Sequence, residues 1–261
     1  MDIATIGGLL VALGSLIGFA YLEGSHMGAL FNVPSLVLII GGSLGVSLMS
    51  FSISTSIGIA KITKNAFFEK KMDLNKVIEQ FVRFSEKARK EGILALESEL
   101  ENIEDPFLKK GIQLVTDGVD IQLTEEILEH DLHFVEERHH VGESFFSTMG
   151  GYSPTLGIIG TILGLVNALG RLDNPAEMGH AIASAFIATL YGVAFANVVF
   201  LPIGAKLKIR SQEEVLVRQA IIAGILSITA GDNPRITQEK LKVFLSPKKR
   251  AEIERAQTEG A

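Results

Sequence analysis

The run "IATLYGVAFANVVFLPIG", Ile187 to Gly204, is apolar enough for a membrane, yet it keeps hydroxyls at Thr189 and Tyr191, an amide at Asn197 and a proline at Pro202. Ser184 and His180 precede it, and a second apolar run carries Thr161 and Asn167. Polar side chains inside a bilayer are expensive and usually serve a pathway or a partner. The structural alternative is local: Thr and Ser bond back to their own helix carbonyls, while Asn and Tyr bridge helices. His180 stands at the outer edge, where an interfacial position accounts for it. Residue types alone leave both readings of the hydroxyls open. What is missing is informative: no Asp, Glu, Lys or Arg occupies the middle of any apolar run. Moving protons or cations through hydrocarbon normally requires a group that binds and releases them there. Either the chain conducts nothing, or a partner supplies the acid.

Four uncharged runs must position these groups: Ile3 to Leu22, Val33 to about Ser54, Ser144 to Gly170, and Met178 to Ala205. Each meets the roughly 20 apolar residues that a spanning helix needs. The last two are longer, about 40 Å as helix, and are expected to project beyond the hydrocarbon on one side. Basic residues then predict orientation. The connectors 23–32 and 172–178 hold no Lys or Arg, whereas 55–143 holds twelve and 206–261 holds eleven; Arg171 completes the 24. Because basic loops stay cytoplasmic, both short connectors are expected outside and both termini inside. The start "MDIATIGG" has no basic stretch or cleavage pattern, so no signal peptide is expected.

The chain reads as all-helical, a polytopic membrane protein with four transmembrane helices and a helical cytoplasmic domain between the second and third. The expected divisions are a membrane hairpin (1–54), a cytoplasmic helical domain (55–143), the long third and fourth spans with a short outer loop (144–206), and cytoplasmic C-terminal helices with a charged tail (207–261). Within the cytoplasmic part, Leu74, Val77, Ile78, Phe81 and Val82 form one helical stripe behind an Asp73 N-cap. Gly92 should interrupt that helix, and "ILALESELEN" should resume a second. Asp105-Pro106 should open another, since a first-position proline loses no bond, and "TDG" at 116–118 should close it. Thr124 should start a long charged helix running into the third span. The apolar segment 220–230 is too short to span and suits a soluble core helix.

Several function classes are excluded by composition. A net charge of −6 argues against nucleic acid. With no cysteine there is no disulfide or thiolate metal site. His130 and His133 could share a helix face, but no metal-binding histidine pattern accompanies them. The glycines of "GGLLVALGSLIG" and "IIGGSLG" sit in apolar spans, where small residues let helices pack closely, and lack the Lys and strand of a phosphate loop. Without a nucleophile–base pair, neither enzyme activity nor a cofactor is expected.

Four segments in order resemble the MotA/PomA family, the larger stator subunit of the bacterial flagellar motor within the MotA/TolQ/ExbB superfamily. They are "ARKEGILALE" (88–97), "SPTLGIIGTILGLVNALGRL" (153–172), "HAIASAFIATLYGVAFANVVFLPIGAKL" (180–207) and "GDNPRITQEKLKVFLS" (231–246). The resemblance implies a motility and chemotaxis machine of the inner membrane driven by transported H⁺ or Na⁺. Five copies would surround two single-span partners of the MotB/PomB type, which bring the membrane aspartate and grip peptidoglycan. The pentamer would turn around that anchor and drive the rotor protein FliG.

Carried over by position, Arg89 and Glu97 match the charged rotor-contact pair, with Lys90 beside them. On residue type alone they would be a solvated face. Pro154 and Pro202 match prolines at the inner ends of the third and fourth spans, where each would act as a bend; for Pro154 the plain alternative is a first-turn proline. Thr161 and Thr189 match positions facing the ion pathway. A threonine oxygen suits a partly dehydrated Na⁺, a hard cation. Sodium-using members keep threonine at the Thr161 position and some proton users carry alanine, so this chain permits sodium. Asn197 is expected to hold helices together. The competing readings are an ExbB/TolQ-type energiser, which usually has three spans, and a non-conducting membrane scaffold.

Overall fold

The computed structural model describes residues 3–24, 27–68 and 73–251, and among these all regular structure is helical. The chain divides into two compact units, residues 1–69 with 138–210, and residues 70–137 with 211–261.

The first unit contains α1 (Ile3–Leu22), a 3₁₀ turn (Met27–Leu30), α2 (Val33–Ser50), α3 (Ile53–Phe68) and the membrane parts of α6 (Ile121–Leu169) and α7 (Pro175–Thr229). α1, α2, α6 and α7 are the four helices long and apolar enough to cross a membrane. α2 stops at Ser50, short of the expected end, because Phe51 turns extended. Along α1 the glycines Gly7, Gly8, Gly14 and Gly18 have no neighbour within 4 Å, and Leu10, Val11 and Phe19 are exposed. The expected close packing of the glycine runs is met at Gly42, which lies against Leu156.

Two membrane helices contain a π turn, Val37–Gly41 in α2 and Phe195–Phe200 in α7. The second immediately precedes Pro202. A proline inside a helix has no N–H to give and its ring crowds the carbonyl four residues back. A wider turn at that point is one way to absorb the defect. Pro154 lies deep inside the 49-residue α6, so it is a mid-helix proline and not a first-turn one.

The second unit packs α4 (Leu74–Glu91), a 3₁₀ segment (Ile93–Asn102), α5 (Pro106–Thr116), the start of α6, the end of α7 and α8 (Pro234–Lys242) around one core. The expected stripe faces inward: Leu74, Val77, Ile78 and Phe81 are buried, with Val82 at its edge. Phe81 is fully buried against Gly224, and burial of a side chain that size stabilises by about 1.5–3 kcal/mol. Segment 220–230 does form core, through Ala220, Ile221, Ile225 and Ile228, as the continuation of α7. "ILALESELEN" forms the tighter 3₁₀ helix, entered through Gly92 at φ +89. α6 starts at Ile121, one turn before the expected Thr124, because the Asp120 carboxylate accepts from the Gln122 and Leu123 amides. Thr124 is instead wholly buried. The end of the expected tail, residues 252–261, lies outside the described residues.

One local rule starts four helices. Asn32, Asp105, Asn174 and Asn233 each precede or nearly precede a proline, and each side chain accepts the amide three residues on, from Ser35, Leu108, Glu177 and Ile236. The proline occupies a position whose N–H would have no helical partner anyway. The carboxylate or amide oxygen satisfies one of the orphan donors that remain.

Candidate functional site

α6 and α7 meet along a seam of small residues in the membrane unit. Gly157, Gly160 and Gly164 on α6 face Ala185, Ala188 and Gly192 on α7. A Cβ on Gly157 would stand 2.9 Å from the Ala188 carbonyl oxygen and 3.1 Å from the Thr189 Cα. Backbone-to-backbone approach of this kind is how membrane helices associate without a hydrophobic driving force.

That approach brings together the two threonines 28 positions apart. The Thr161 hydroxyl lies 2.9 Å from the Ala185 carbonyl on α7 and 3.1 Å from the Gly157 carbonyl on its own helix, and it is hydrogen-bonded to the Thr189 hydroxyl. Thr189 is in turn 3.4 Å from the Gly157 carbonyl. Two hydroxyls carry two protons. Four oxygens therefore face one another with lone pairs to spare, since a carbonyl has two and its helical amide uses one. Both side chains are half-buried. An uncharged oxygen cluster of this kind can ligate a hard cation or pass a proton along hydroxyls, and it holds no fixed charge of its own. The local back-bonding expected of a membrane threonine is present, but so is a bond across the seam.

About two turns before Thr161, the fully buried Ser153 donates to the Gly192 carbonyl at 2.9 Å. Ser153 immediately precedes Pro154, and Gly192 lies just ahead of the π turn. The bond thus ties the residue before the α6 proline to the turn that leads into the π turn of α7. Pro154 is partly buried and Pro202 is exposed. Beyond Pro202, Lys208 on α7 pairs with Glu143 on α6 at 3.3 Å.

At the other end of the unit, Asn32 joins α2 to α7. Its side-chain amide donates to Ser184 at 2.5 Å, its backbone amide donates to the Tyr191 oxygen at 3.3 Å, and the Tyr191 hydroxyl donates to the Leu30 carbonyl. Tyr191 is therefore a bridge between elements, as one of the two readings had it. Asn197 is not: it is exposed and donates to the Val193 carbonyl of its own helix at 2.9 Å. An amide there satisfies itself within the turn.

Arg89, Lys90 and Glu97 lie in the other unit, all exposed. Arg89 and Lys90 occupy the last turn of α4, where positive charge complements the helix dipole. Glu97 projects from the 3₁₀ segment. None of the three makes an ion pair among the described residues. Their spacing is held by neighbours: Lys87 on α4 bonds Glu99 at 2.5 Å and Ser98 at 2.8 Å on the 3₁₀ segment, while Leu96 is buried beneath. His130 and His133 are exposed, and among the described residues no three His, Cys, Asp or Glu gather as a metal site.

Sequence reasoning missed Asn32, Ser153 and Gly157. Asn32-Val33-Pro34 carried a readable capping signal; nothing marked Ser153 or Gly157 apart from small size at helical spacing.

These features define a four-span, helical membrane protein with an uncharged oxygen cluster between two of its long helices. The MotA/TolQ/ExbB proton channel family model matches residues 99–220. The chain is 39% identical to Motility protein A of Borreliella burgdorferi over 97% of both chains, and 39% identical to Chemotaxis protein PomA of Vibrio alginolyticus over 96% and 98%. Among solved structures it resembles the C. jejuni MotAB structure (TM-score 0.91, 32% identity, 95% and 97% covered) and the flagellar MotAB stator complex of Bacillus subtilis (TM-score 0.89, 33% identity, 95% and 98% covered). The chain belongs to the MotA/TolQ/ExbB proton channel family. Within it, similarity over the full length places the chain with the motility protein A and PomA stator subunits and not with the ExbB/TolQ-type energisers.

Proposed function

We propose that this stator subunit encloses a cation path that a single-span partner of the MotB/PomB type completes with a carboxylate. The observation that carries the reading is the Thr161–Thr189 oxygen cluster in a pair of spans without a single charged side chain. Charge transfer through hydrocarbon needs graded polar ligands and one group that loads and releases the ion. The cluster offers the ligands, and the acid must come from elsewhere. The solved relatives are MotAB complexes, which supports the partner. In this reading five copies surround two partners in the inner membrane with both termini cytoplasmic. Pro154 and Pro202 let the long helices bend as they work, and Arg89, Lys90 and Glu97 push on FliG. One elementary charge falling through 100 mV releases about 2.3 kcal/mol, the energy each step has available.

The ion is settled by swimming speed as Na⁺ is exchanged for K⁺ at fixed pH. The two threonines permit sodium: a speed that falls with sodium would assign Na⁺, and indifference would assign protons. Failure to co-purify with a single-span protein carrying a membrane aspartate would overturn the channel reading altogether.

A further inference from the structure

Asp232, in the turn between α7 and α8, gathers groups from three helices of the second unit. Ser227 at the end of α7 donates to its Oδ2 at 2.6 Å, and Lys240 of α8 donates to the same oxygen at 2.5 Å. The backbone carbonyl of Asp232 accepts from Ser85 of α4 at 3.0 Å. Thr237 of α8 completes the set, 3.0 Å from the Ser227 hydroxyl and 3.4 Å from that of Ser85. Ser85, Ser227 and Thr237 are all buried.

Each hydroxyl has one proton to give. With Ser227 committed to the carboxylate and Ser85 to the carbonyl, Thr237 donates its one proton to Ser227 or to Ser85. Either route terminates on Asp232, at its carboxylate through Ser227 or at its carbonyl through Ser85. Buried hydroxyls ordered by a charge lose more than one bond when that charge is removed, because each depends on the next.

Ser85 lies one helical turn before Arg89, and α4 ends within two turns, at Gly92. From the far side, Lys87 clamps the 3₁₀ segment that bears Glu97. We infer that Asp232 is a positioning residue for the Arg89–Lys90 end of α4, which it holds by locking α8 and the end of α7 onto Ser85. The inference rests on the reading of Arg89, Lys90 and Glu97 as the rotor-facing surface. It adds the residue that keeps that surface stiff under load, a demand specific to transmitting force.

The test is Asp232→Asn in the full-length chain with its partner subunit, read by hydrogen exchange, ion flux and stall torque. Amide exchange over residues 85–91 should quicken roughly tenfold, the size expected for loss of a charged hydrogen bond. Stall torque should drop while ion flux persists. Unchanged exchange overturns the latch, whatever the torque does. Faster exchange with full stall torque overturns the positioning role and leaves the latch merely structural. Should Asp232→Asn fail to assemble, Ser85→Ala removes only the α4 anchor, and the same local rise must appear or the inference is lost. Full torque in Arg89→Glu with Asp232 intact would remove the rotor-facing reading itself, a separate failure.

Discussion

The hydroxyls of Thr161 and Thr189 bond to each other across the third and fourth spans, one turn from the glycine at 157 that lets the helices approach. Each also reaches a backbone carbonyl, so the pair is both a structural tie and a patch of spare lone pairs. The two roles separate on substitution. A valine at 189 keeps the shape and removes the oxygen. Membrane hydrogen bonds contribute only about 0.6 kcal/mol on average, so the complex should still assemble. Motility and ion flux should nevertheless be lost or severely reduced. Wild-type torque in Thr189→Val would remove Thr189 from the path.

Gly157→Ala tests the seam itself. Its methyl would meet backbone atoms of α7, including the Gly192 Cα at 3.2 Å, and backbone cannot swing aside. Overpacking of this kind typically costs about 1–3 kcal/mol. The melting temperature of the solubilised complex should fall, whereas Gly151→Ala, with nothing within 4 Å, should leave it unchanged. Equal melting temperatures would show that the helices can separate freely.

Tyr191→Phe removes the hydroxyl that bonds Leu30 and receives the Asn32 amide. A net loss of about 1 kcal/mol follows if both bonds persist in lipid. The connector before α2 should become more accessible to protease from its own side, while Phe195, stacked edge-on against the ring at 6.1 Å, keeps the aromatic contact. Equal cleavage of the two proteins would count against the tie.

Arg89→Glu reverses an exposed charge that makes no ion pair among the described residues, so stability should be unaffected within about 0.5 kcal/mol. Rotation under load should weaken while conduction continues. Loss of ion flux would move Arg89 from force transmission to channel assembly.

Acid should loosen the second unit through Asp232. Its carboxyl is held below the ordinary range, first by the hydrogen bond from Lys240 and next by that from Ser227. A depressed folded pKa means the contribution is complete above the unfolded value of about 3.9 and is lost as pH falls through the folded one. The loss should therefore begin below about pH 4 and be absent in Asp232→Asn. Chemical denaturation of both proteins between neutral pH and pH 3 measures the difference, and parallel curves would rule out the contribution.

Much of the architecture was legible from local chemistry. Four uncharged runs define four spans because hydrocarbon length and hydropathy are properties of contiguous residues. Asp105 and Asp73 announce helix starts because a cap acts within three residues. The stripe from Leu74 to Phe81 buries as its period requires. The missing intramembrane carboxylate was likewise plain, since absence needs no fold. The failures include Asn197, expected to hold helices together but bonded within its own helix. Thr124 lost its place as helix start to Asp120, a stronger and slightly earlier acceptor, and "ILALESELEN" tightened to 3₁₀ where Lys87 and buried Leu96 draw it onto α4.

The sequence by itself determined the membrane class, the number of spans, the helix starts at Asp73 and Asp105-Pro106, and the lack of a carboxylate in the middle of any span. Tertiary structure alone decided which polar groups meet: Thr161 with Thr189, Ser153 with the Gly192 carbonyl, Asn32 with Ser184 and Tyr191, Asp232 with Ser85. The physical reason is the hydroxyl and amide themselves. Each has donors and acceptors that any neighbour can satisfy, so type carries no address. For Thr161 with Thr189 and Ser153 with Gly192, the seam of glycines and alanines selects the partner by setting how near two backbones come.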